Sequence, residues 1–524
     1  MADRQLGEGL ARWSSERARS LGLGVVAAAS SGMLLAHARV SARDVAVIEL
    51  IAASVILLAF NIACVRRRGL FSPGSLVTAA LLVYLPLRAL PLMLGHPRAE
   101  QGVNPAVLSK LGSESTAADR ASLVVLVIAL SFLAGYALLA WWSRAQDRRA
   151  AGDPSAFNHN FLERLAPALM VVGVAALVIQ AVSSLTYLRV GSIEGGFLSQ
   201  VWQTLAFSFG FGIVIAPRAR PGERRLLFWA LFTAGVVVAT AAGSKDVLVQ
   251  ILVATAVRHS IIGARKDGGG RGLFIGCATV AAVLLIGFPS LNSYRRSVLE
   301  GKGSGEALTA IPIELRSKTI VLGKARRDTG VAAYVSDAGL YLSNRLHGFD
   351  SLLLGVAAPH DPTLLPVTSV LSSPLAIVLP GRFVDPDQQD IGLLFAHEYW
   401  KLPAKDRSHI AIGVFTQGWI AWGWPVVIAL GLVLGAMTWA ADRCLAVRRP
   451  GPAVVGYTLL IGALAMERDL VFVVTSTGKH LLFAALVWLI LRRRGLEHLE
   501  EGRQTAAGDS SSEPVLVEKR LVHL

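Results

Sequence analysis

Long apolar runs alternate with short polar stretches along most of this chain. An α-helix needs roughly 20 mostly apolar residues to cross the hydrocarbon core of a bilayer. The runs that fit this length cover 21–37, 45–64, 73–94, 121–142, 165–188, 202–217, 226–243, 246–263, 272–290, 412–440, 453–474 and 479–492. The pattern therefore predicts an all-α polytopic membrane protein with about twelve transmembrane helices.

Two prolines stand inside the third predicted span. Pro86 and Pro91 bracket Arg88, and a proline within a helix removes one backbone hydrogen bond and clashes with the preceding turn. We therefore expect this span to be kinked.

One long stretch, 291–411, interrupts the alternation. It carries polar and charged side chains throughout and has no apolar run long enough to cross a bilayer. Apolar residues recur at helical spacing over 307–325 and 331–358. We expect short, ordered helices in these two segments, lying half-embedded on the outer leaflet. Loops of this length in compact proteins are usually functional or disordered, and the aromatic and aliphatic content favours an ordered one.

The composition agrees with a membrane protein. Hydrophobic residues make up 53% of the 524 residues and charged residues 17%, too few for a water-facing surface of normal polarity. The formal net charge is +15, but the basic residues form short clusters between apolar runs, so no nucleic-acid partner is predicted. The three cysteines, Cys64, Cys277 and Cys444, lie in or beside apolar runs. They imply neither a disulfide framework nor a cysteine metal site.

The basic clusters predict the orientation in the membrane. They comprise 66–68, 144–149, 218–225, 258–271, 443–449 and 492–494. If the spans alternate, all of them fall on one side, and enrichment in Lys and Arg marks that side as cytoplasmic. The protein is then a multi-pass protein of the cytoplasmic (inner) membrane.

This orientation divides the chain into five parts. The N-terminus, 1–20, is cytoplasmic, and 21–290 forms a first membrane block of about nine helices. Residues 291–411 face outward, and 412–492 form a second block of about three helices. The tail, 493–524, is cytoplasmic and has a largely disordered composition.

Arginines of the long loop are candidates for phosphate recognition. Arg295 and Arg296 follow the ninth predicted span, and Arg345 lies in the middle of the loop. Guanidinium groups stay charged and bind phosphate through two parallel hydrogen bonds, which suits a diphosphate lipid head group. The loop holds nearly as many acids as bases, so salt pairing within the loop is the alternative.

Two further charged groups lie at or within predicted spans. Lys245 stands in a tight hairpin, 243–246, on the outer side, where it either reaches a substrate phosphate or pairs with Asp246. Glu467, Arg468 and Asp469 lie inside the eleventh predicted span, where we expect them to neutralise one another.

The histidines of the long loop show no metal-ligand spacing. His397-Glu398 lacks the second histidine of a zinc-protease helix, because Lys401 stands in its place. His409 shortly precedes the tenth span, where its imidazole could accept a proton from a sugar hydroxyl or donate to a leaving phosphate. The alternative is a solvated histidine at the membrane interface.

Three segments resemble the bacterial O-antigen polymerase and ligase families, whose members are integral-membrane enzymes. Residues 240–248 are similar to their Gly-Ser-Arg hairpin, with Lys245 where Arg is usual. Residues 344–352 are similar to an Arg-containing loop segment of the repeat-unit polymerases. Residues 409–424 resemble the segment in which a histidine leads into a helix, although Ile410 replaces the usual Asn. The likeness extends over roughly 165–490.

The resemblance implies a membrane glycosyltransferase of the C-type fold that polymerises oligosaccharide repeat units linked to undecaprenyl diphosphate. Such enzymes need no nucleotide sugar, and the ligase branch works without a metal, so no cofactor is expected. The implied partners are the lipid-linked oligosaccharide, a flippase and a chain-length regulator. The implied catalytic residues are His409 and Arg345, and the implied substrate-binding residues are Arg295, Arg296, Lys245, His347 and Asp350.

Two other classes remain open. Glycosyltransferases that use polyprenyl-phosphate sugars usually carry paired acids in the first outer loop, but this loop is short and holds only Arg43 and Asp44. A transporter or flippase is favoured by charges within predicted spans, such as Glu49, Arg88 and Glu467. The large outer loop and the absence of an internal repeat speak against it.

Overall fold

The structure is a computed structural model. It describes residues 42–95, 103–113, 115–143, 159–190, 197–217, 223–241, 245–262, 348–365, 368–369, 375, 391–402, 412–447 and 449–509. Within these ranges every regular element is a helix and there is no strand, which confirms the predicted all-α class.

We number the α-helices in chain order. They are α1 Ala42–Arg68, α2 Pro73–Tyr84, α3 Pro86–Met93, α4 Pro105–Ser113, α5 Ser115–Trp142, α6 His159–Val190, α7 Phe197–Ala206, α8 Ser208–Ile215, α9 Glu223–Ala241, α10 Lys245–Ile262, α11 Gly348–Ala357, α12 Ile391–Glu398, α13 Val414–Trp422, α14 Trp424–Ala446, α15 Pro450–Leu464 and α16 Leu470–Asp509. A short 3-10 helix, Pro362–Leu364, follows α11.

Six helical stretches among the described residues are long and apolar enough to cross a membrane. They are Arg43–Arg68, Pro73–Met93, Thr116–Trp142, Phe161–Gln180, Trp424–Ala446 and Leu470–Arg493. Shorter apolar helices accompany them over Val201–Ile215, Arg225–Ala239, Gly348–Ala357 and Pro450–Leu464. These helices support the membrane-protein class. The count of twelve stays a prediction, because the predicted spans 21–37 and 272–290 lie outside the described residues.

Three predicted spans are each divided into two helices. The span 73–94 breaks at Leu85, immediately before Pro86, as its prolines predict. The span 202–217 breaks at Phe207. The span 412–440 breaks at Gly423, whose φ of 69° is a left-handed conformation that glycine adopts without a steric penalty. A single glycine in an apolar run gives little warning of such a break, which is why the sequence pattern missed it.

The predicted boundaries of the last two spans, 453–474 and 479–492, are wrong. Helix α15 ends at Leu464 and α16 begins at Leu470, so Glu467, Arg468 and Asp469 lie in a turn rather than inside a span. Asp469 caps α16, because its carboxylate accepts a hydrogen bond from the Phe472 amide at 2.7 Å. The residues before and after this turn are apolar, so the sequence pattern placed the boundary between the two helices too far along the chain.

Helix α11 is buried in the bundle instead of lying on the outer leaflet as we expected. Its residues from Phe349 to Val356 are all buried, and it packs against α3, α4, α5 and α13. The physical reason is that apolar side chains occur on every face of the helix, while its one charged residue, Asp350, is paired with Arg88 in the interior. The rest of 331–358 and all of 307–325 lie outside the described residues.

The described members of the basic clusters share one end of the bundle, which we call the basic end. Three contacts tie this end together: Arg68 with Asp442, Phe71 with His259, and Arg258 with the Pro217 carbonyl. Trp488, near the end of the apolar stretch Leu470–Arg493 of α16, packs against Gly451, beside Arg449. This arrangement agrees with the alternation of spans from which we predicted the orientation.

Candidate functional site

A turn of five residues, Ala465–Asp469, connects α15 to α16 at the end of the bundle opposite the basic end. We call it the junction turn. The Val414 amide, at the start of α13, donates a hydrogen bond to the Met466 carbonyl at 3.0 Å. The side chain of Gln417 on α13 accepts from the Leu470 amide at 2.7 Å and donates to the Leu364 carbonyl at 2.9 Å. These bonds fix the beginning of α13 to the turn.

Glu467 connects the junction turn to α2. Its carboxylate accepts a hydrogen bond from the hydroxyl of Tyr84, the last residue of α2. The ring of Tyr84 also lies directly against Gly348, the first residue of α11. A Cβ atom at position 348 would lie 3.0 Å from both the ring and the carbonyl oxygen of Tyr84. Tyr84 therefore contacts both the turn and the start of α11.

Arg468 connects the junction turn to α10. Its guanidinium forms a close ion pair with Asp246, the second residue of α10. The two side chains are 39% and 42% exposed, so the pair faces a partly open region. Burial works against the charge of Arg468, but the carboxylates of Asp246 and Glu467 outweigh it and hold the pKa of the guanidinium above its ordinary value. Arg468 is thus held as a cation at this site.

A second ion pair lies beside the turn and is fully buried. Arg88 on α3 contacts Asp350 on α11 through two hydrogen bonds, Nη2 to Oδ2 at 2.9 Å and Nε to Oδ1 at 3.2 Å. Both side chains are 2% exposed. The structure thus shows Arg88 holding the Asp350 carboxylate, and the role of Asp350 in substrate binding stays a prediction.

The three segments that resemble parts of the polymerase and ligase families lie around the junction turn. Asp246 of segment 240–248 and Val414 of segment 409–424 contact the turn directly. Gly348 of segment 344–352 contacts Tyr84, whose hydroxyl donates to Glu467 in the turn. The segments are far apart in the sequence, so their convergence follows from the fold alone. The turn is therefore the candidate functional site.

Most of the predicted site residues lie outside the described residues. They are Arg295, Arg296, Arg345, His347 and His409. The structure describes Lys245 only as the first residue of α10, next to Asp246. Arg345 and His347 precede α11 by three residues and one residue in the sequence.

Two histidines of the long loop are described, and each contacts a backbone carbonyl. His360 Nδ1 lies 3.0 Å from the Trp419 carbonyl oxygen on α13, and His397 Nδ1 lies 3.2 Å from that of Leu402. Both histidines therefore have a structural partner. Across the described ranges, no group of three or more His, Cys, Asp or Glu side chains is arranged to hold a metal ion.

Sequence reasoning missed the partners of the charged residues at this site. We expected Glu467 and Arg468 to neutralise each other inside a span, whereas the structure gives them Tyr84 and Asp246 on other helices. Nothing in the local pattern identifies such partners. The available signal was three consecutive charges within an apolar run, which are costly in a membrane unless they are paired or face a cavity.

No known protein family, curated protein or solved structure matches this chain. Fold and site together define a helical membrane protein with a polar junction at one end.

Proposed function

We propose that this protein is a membrane glycosyltransferase that polymerises lipid-diphosphate-linked oligosaccharide repeat units on the outer face of the cytoplasmic membrane. The observation that carries the proposal is the arrangement of segments 240–248, 344–352 and 409–424 around the junction turn, which the first and third contact directly and the second reaches through Tyr84. All three segments resemble parts of one class of enzyme. An active site built from all three requires such a convergence.

In the proposed reaction, a sugar hydroxyl of the acceptor attacks the anomeric carbon of the donor. The bond between that carbon and the diphosphate oxygen breaks, and the lipid diphosphate leaves. Arg345, Arg295, Arg296 and Lys245 hold the diphosphate and stabilise the negative charge that develops on it. His409 accepts the proton of the attacking hydroxyl. His347 and Asp350 belong to the substrate-binding region in this proposal.

The charge of the described part of the site sets a requirement for this chemistry. Among the side chains that the structure describes, the junction turn and the segments around it hold the carboxylates of Asp246, Asp350, Glu467 and Asp469 and the guanidinium groups of Arg88 and Arg468. A diphosphate would add negative charge to a region that is already acidic. Its binding therefore depends on additional cations, and the proposal assigns that role to Lys245 and the loop arginines.

The direction of the helices also supports an anionic ligand. The N-termini of α10, α11, α13 and α16 lie at the junction turn or beside it. The N-terminus of a helix carries a partial positive charge and amide groups without intrahelical partners. The N-terminus of α13 has no side-chain cap, and its first amide donates instead to the Met466 carbonyl of the junction turn. The partial positive charge at this N-terminus still favours an oxygen-rich ligand.

Substitution of Lys245 tests the proposal and separates it from the flippase alternative. The experiment compares Lys245→Ala and Lys245→Arg with Arg225→Ala, which removes an exposed arginine at the basic end. In Lys245→Ala cells we expect unpolymerised lipid-linked repeat units to accumulate on the outer leaflet, because their synthesis and flipping are untouched. Lys245→Arg and Arg225→Ala should retain polymer. Accumulation on the cytoplasmic leaflet would show that the protein is a flippase and defeat the proposal.

A further inference from the structure

Glu49 on α1 is a carboxyl group buried inside a membrane-spanning helix. The residue is 2% exposed, and its Oε2 atom has no hydrogen-bond partner in the described part of the chain. Among the residues that the structure describes, no cation forms an ion pair with it. Its neighbours on α1, Val45, Ala46, Leu50 and Ala53, are apolar and buried. The proposed glycosyl transfer makes no use of this carboxyl.

The described helices that pack against α1 do not offer Glu49 a compensating charge. Helix α1 contacts α2, α3 and α5. The charged group whose field acts on Glu49 is Asp119 on α5, which is itself an acid. Arg88 on α3 is held by Asp350, and the hydroxyl of Tyr84 on α2 donates to Glu467.

Arg43 on α1 and Arg120 on α5 do not form an ion pair with Glu49 either. Arg43 on α1 donates to the Met93 carbonyl at 2.8 Å, and Arg120 on α5 is exposed. In such surroundings an ionised carboxylate is far less stable than the neutral acid.

We propose that Glu49 is a proton-binding site within the membrane, whose carboxyl holds a proton in the folded protein. A proton fits this position better than a metal ion, because Ca²⁺ and similar hard cations require several oxygen ligands at once. Release breaks the O–H bond, leaves a carboxylate opposite Asp119, and passes the proton to a water molecule that enters between α1 and α5. The site is therefore one at which proton binding is linked to the packing of these two helices. This inference does not depend on the proposed glycosyl transfer.

Infrared spectroscopy of the full chain in lipid vesicles tests the protonation state directly. Glutamine matches the shape and polarity of a protonated glutamic acid, so Glu49→Gln should fold as the wild type does. At neutral pH we expect the wild type to show a carbonyl band of a protonated carboxyl group that Glu49→Gln loses. Asp246→Asn is the matched control: Asp246 is half-exposed and paired with Arg468, so this variant should lose only carboxylate bands.

Loss of carboxylate bands in Glu49→Gln at neutral pH, with no loss of a protonated-carboxyl band, overturns the proposal. If Glu49→Gln fails to fold, the unsubstituted chain labelled with ¹³C at its glutamate carboxyls replaces it. A protonated-carboxyl band that shifts with the label supports the inference. The absence of any shifted protonated-carboxyl band overturns it. Titration of the same sample toward high pH should convert the band to carboxylate as water enters between α1 and α5.

Discussion

Arg88 and Asp350 are 262 residues apart in the sequence and form a two-point ion pair in which both side chains are 2% exposed. The pair joins α3 to the first turn of α11, the helix that follows Arg345 and His347 in the chain. Its guanidinium and carboxylate lie parallel, with N–O distances of 2.9 and 3.2 Å. This planar fit is specific to arginine, because a lysine ammonium cannot form both bonds.

Breaking this buried pair should destabilise the protein strongly. Arg88→Ala leaves the Asp350 carboxylate buried without its partner, and we expect a loss of about 3–5 kcal/mol in unfolding free energy. The matched control is Arg468→Ala, which removes an arginine from the half-exposed pair with Asp246 and should cost about 0–1 kcal/mol. Thermal unfolding in mild detergent compares the two. A larger effect for Arg468→Ala would contradict our assignment of the buried pair.

The close contact between α5 and α14 gives a second stability prediction. Gly135 on α5 faces the backbone of Leu432 on α14, and Gly435 faces the backbone of Phe132. A methyl group at either position would overlap a carbonyl oxygen, so the helices would have to separate. We expect Gly435→Ala to cost about 1–3 kcal/mol. Val433→Ala, on the exposed side of α14, is the control and should lower the melting temperature much less. If the two variants lower the melting temperature equally, the helices do not meet at Gly435.

The sequence predicted the features that have a local cause. Apolar runs of membrane length located most of the described helices, and Pro86 predicted the interruption of the third span. The basic clusters were predicted to share one side, and their described members do share one end. In each of these cases the responsible residues are neighbours in the chain.

The features that escaped prediction depend on residues distant in the sequence. The Arg88–Asp350 pair joins two segments that several helices separate in the sequence. The residue pattern of either segment gives no indication of its partner. Helix α11 looked like part of a surface loop, because its burial depends on α3, α4, α5 and α13 surrounding it. The junction turn was placed inside a span, because α15 and α16 are both apolar and only five residues separate them.

Cysteine labelling tests the predicted orientation. Leu70 lies in the turn before α2 at the basic end, and Leu94 follows α3 at the other end; their exposed fractions are 50% and 68%. In a chain without its native cysteines, a membrane-impermeant maleimide should label Leu94→Cys in intact cells. Leu70→Cys should react only after the membrane is permeabilised. Ser304→Cys, in the predicted outer loop, should behave as Leu94→Cys does. If only Leu70→Cys is labelled from outside, the orientation in the membrane is the reverse of the predicted one.

The loop arginines give a prediction about catalysis. We expect Arg345→Ala to abolish polymer formation while the protein still folds and inserts, because the proposal requires a fixed positive charge at the diphosphate. Arg345→Lys should recover little activity if the contact uses both guanidinium edges. Arg225→Ala, at the basic end, controls for the general loss of a positive charge. Polymer at wild-type levels in Arg345→Ala would favour the alternative interpretation, in which Arg345 forms a salt pair within the loop.

The contact between Tyr84 and Glu467 gives the last prediction, and it asks whether Glu467 acts on substrate or only positions the turn. Tyr84→Phe removes the hydroxyl that donates to Glu467, and Glu467→Gln removes the charge that accepts it. If the hydrogen bond serves to hold the junction turn against α2, both variants should lower the rate of polymer formation to a similar extent.

The double variant distinguishes the two roles. Residues that act through one shared contact show strongly non-additive effects, so Tyr84→Phe combined with Glu467→Gln should be no slower than either single variant. We expect this result, measured as polymer formed from lipid-linked repeat units in vesicles. A much larger loss in Glu467→Gln than in Tyr84→Phe would instead mean that the Glu467 carboxylate contacts the sugar or its attacking hydroxyl. Melting temperatures of all three variants separate either outcome from a loss of folding.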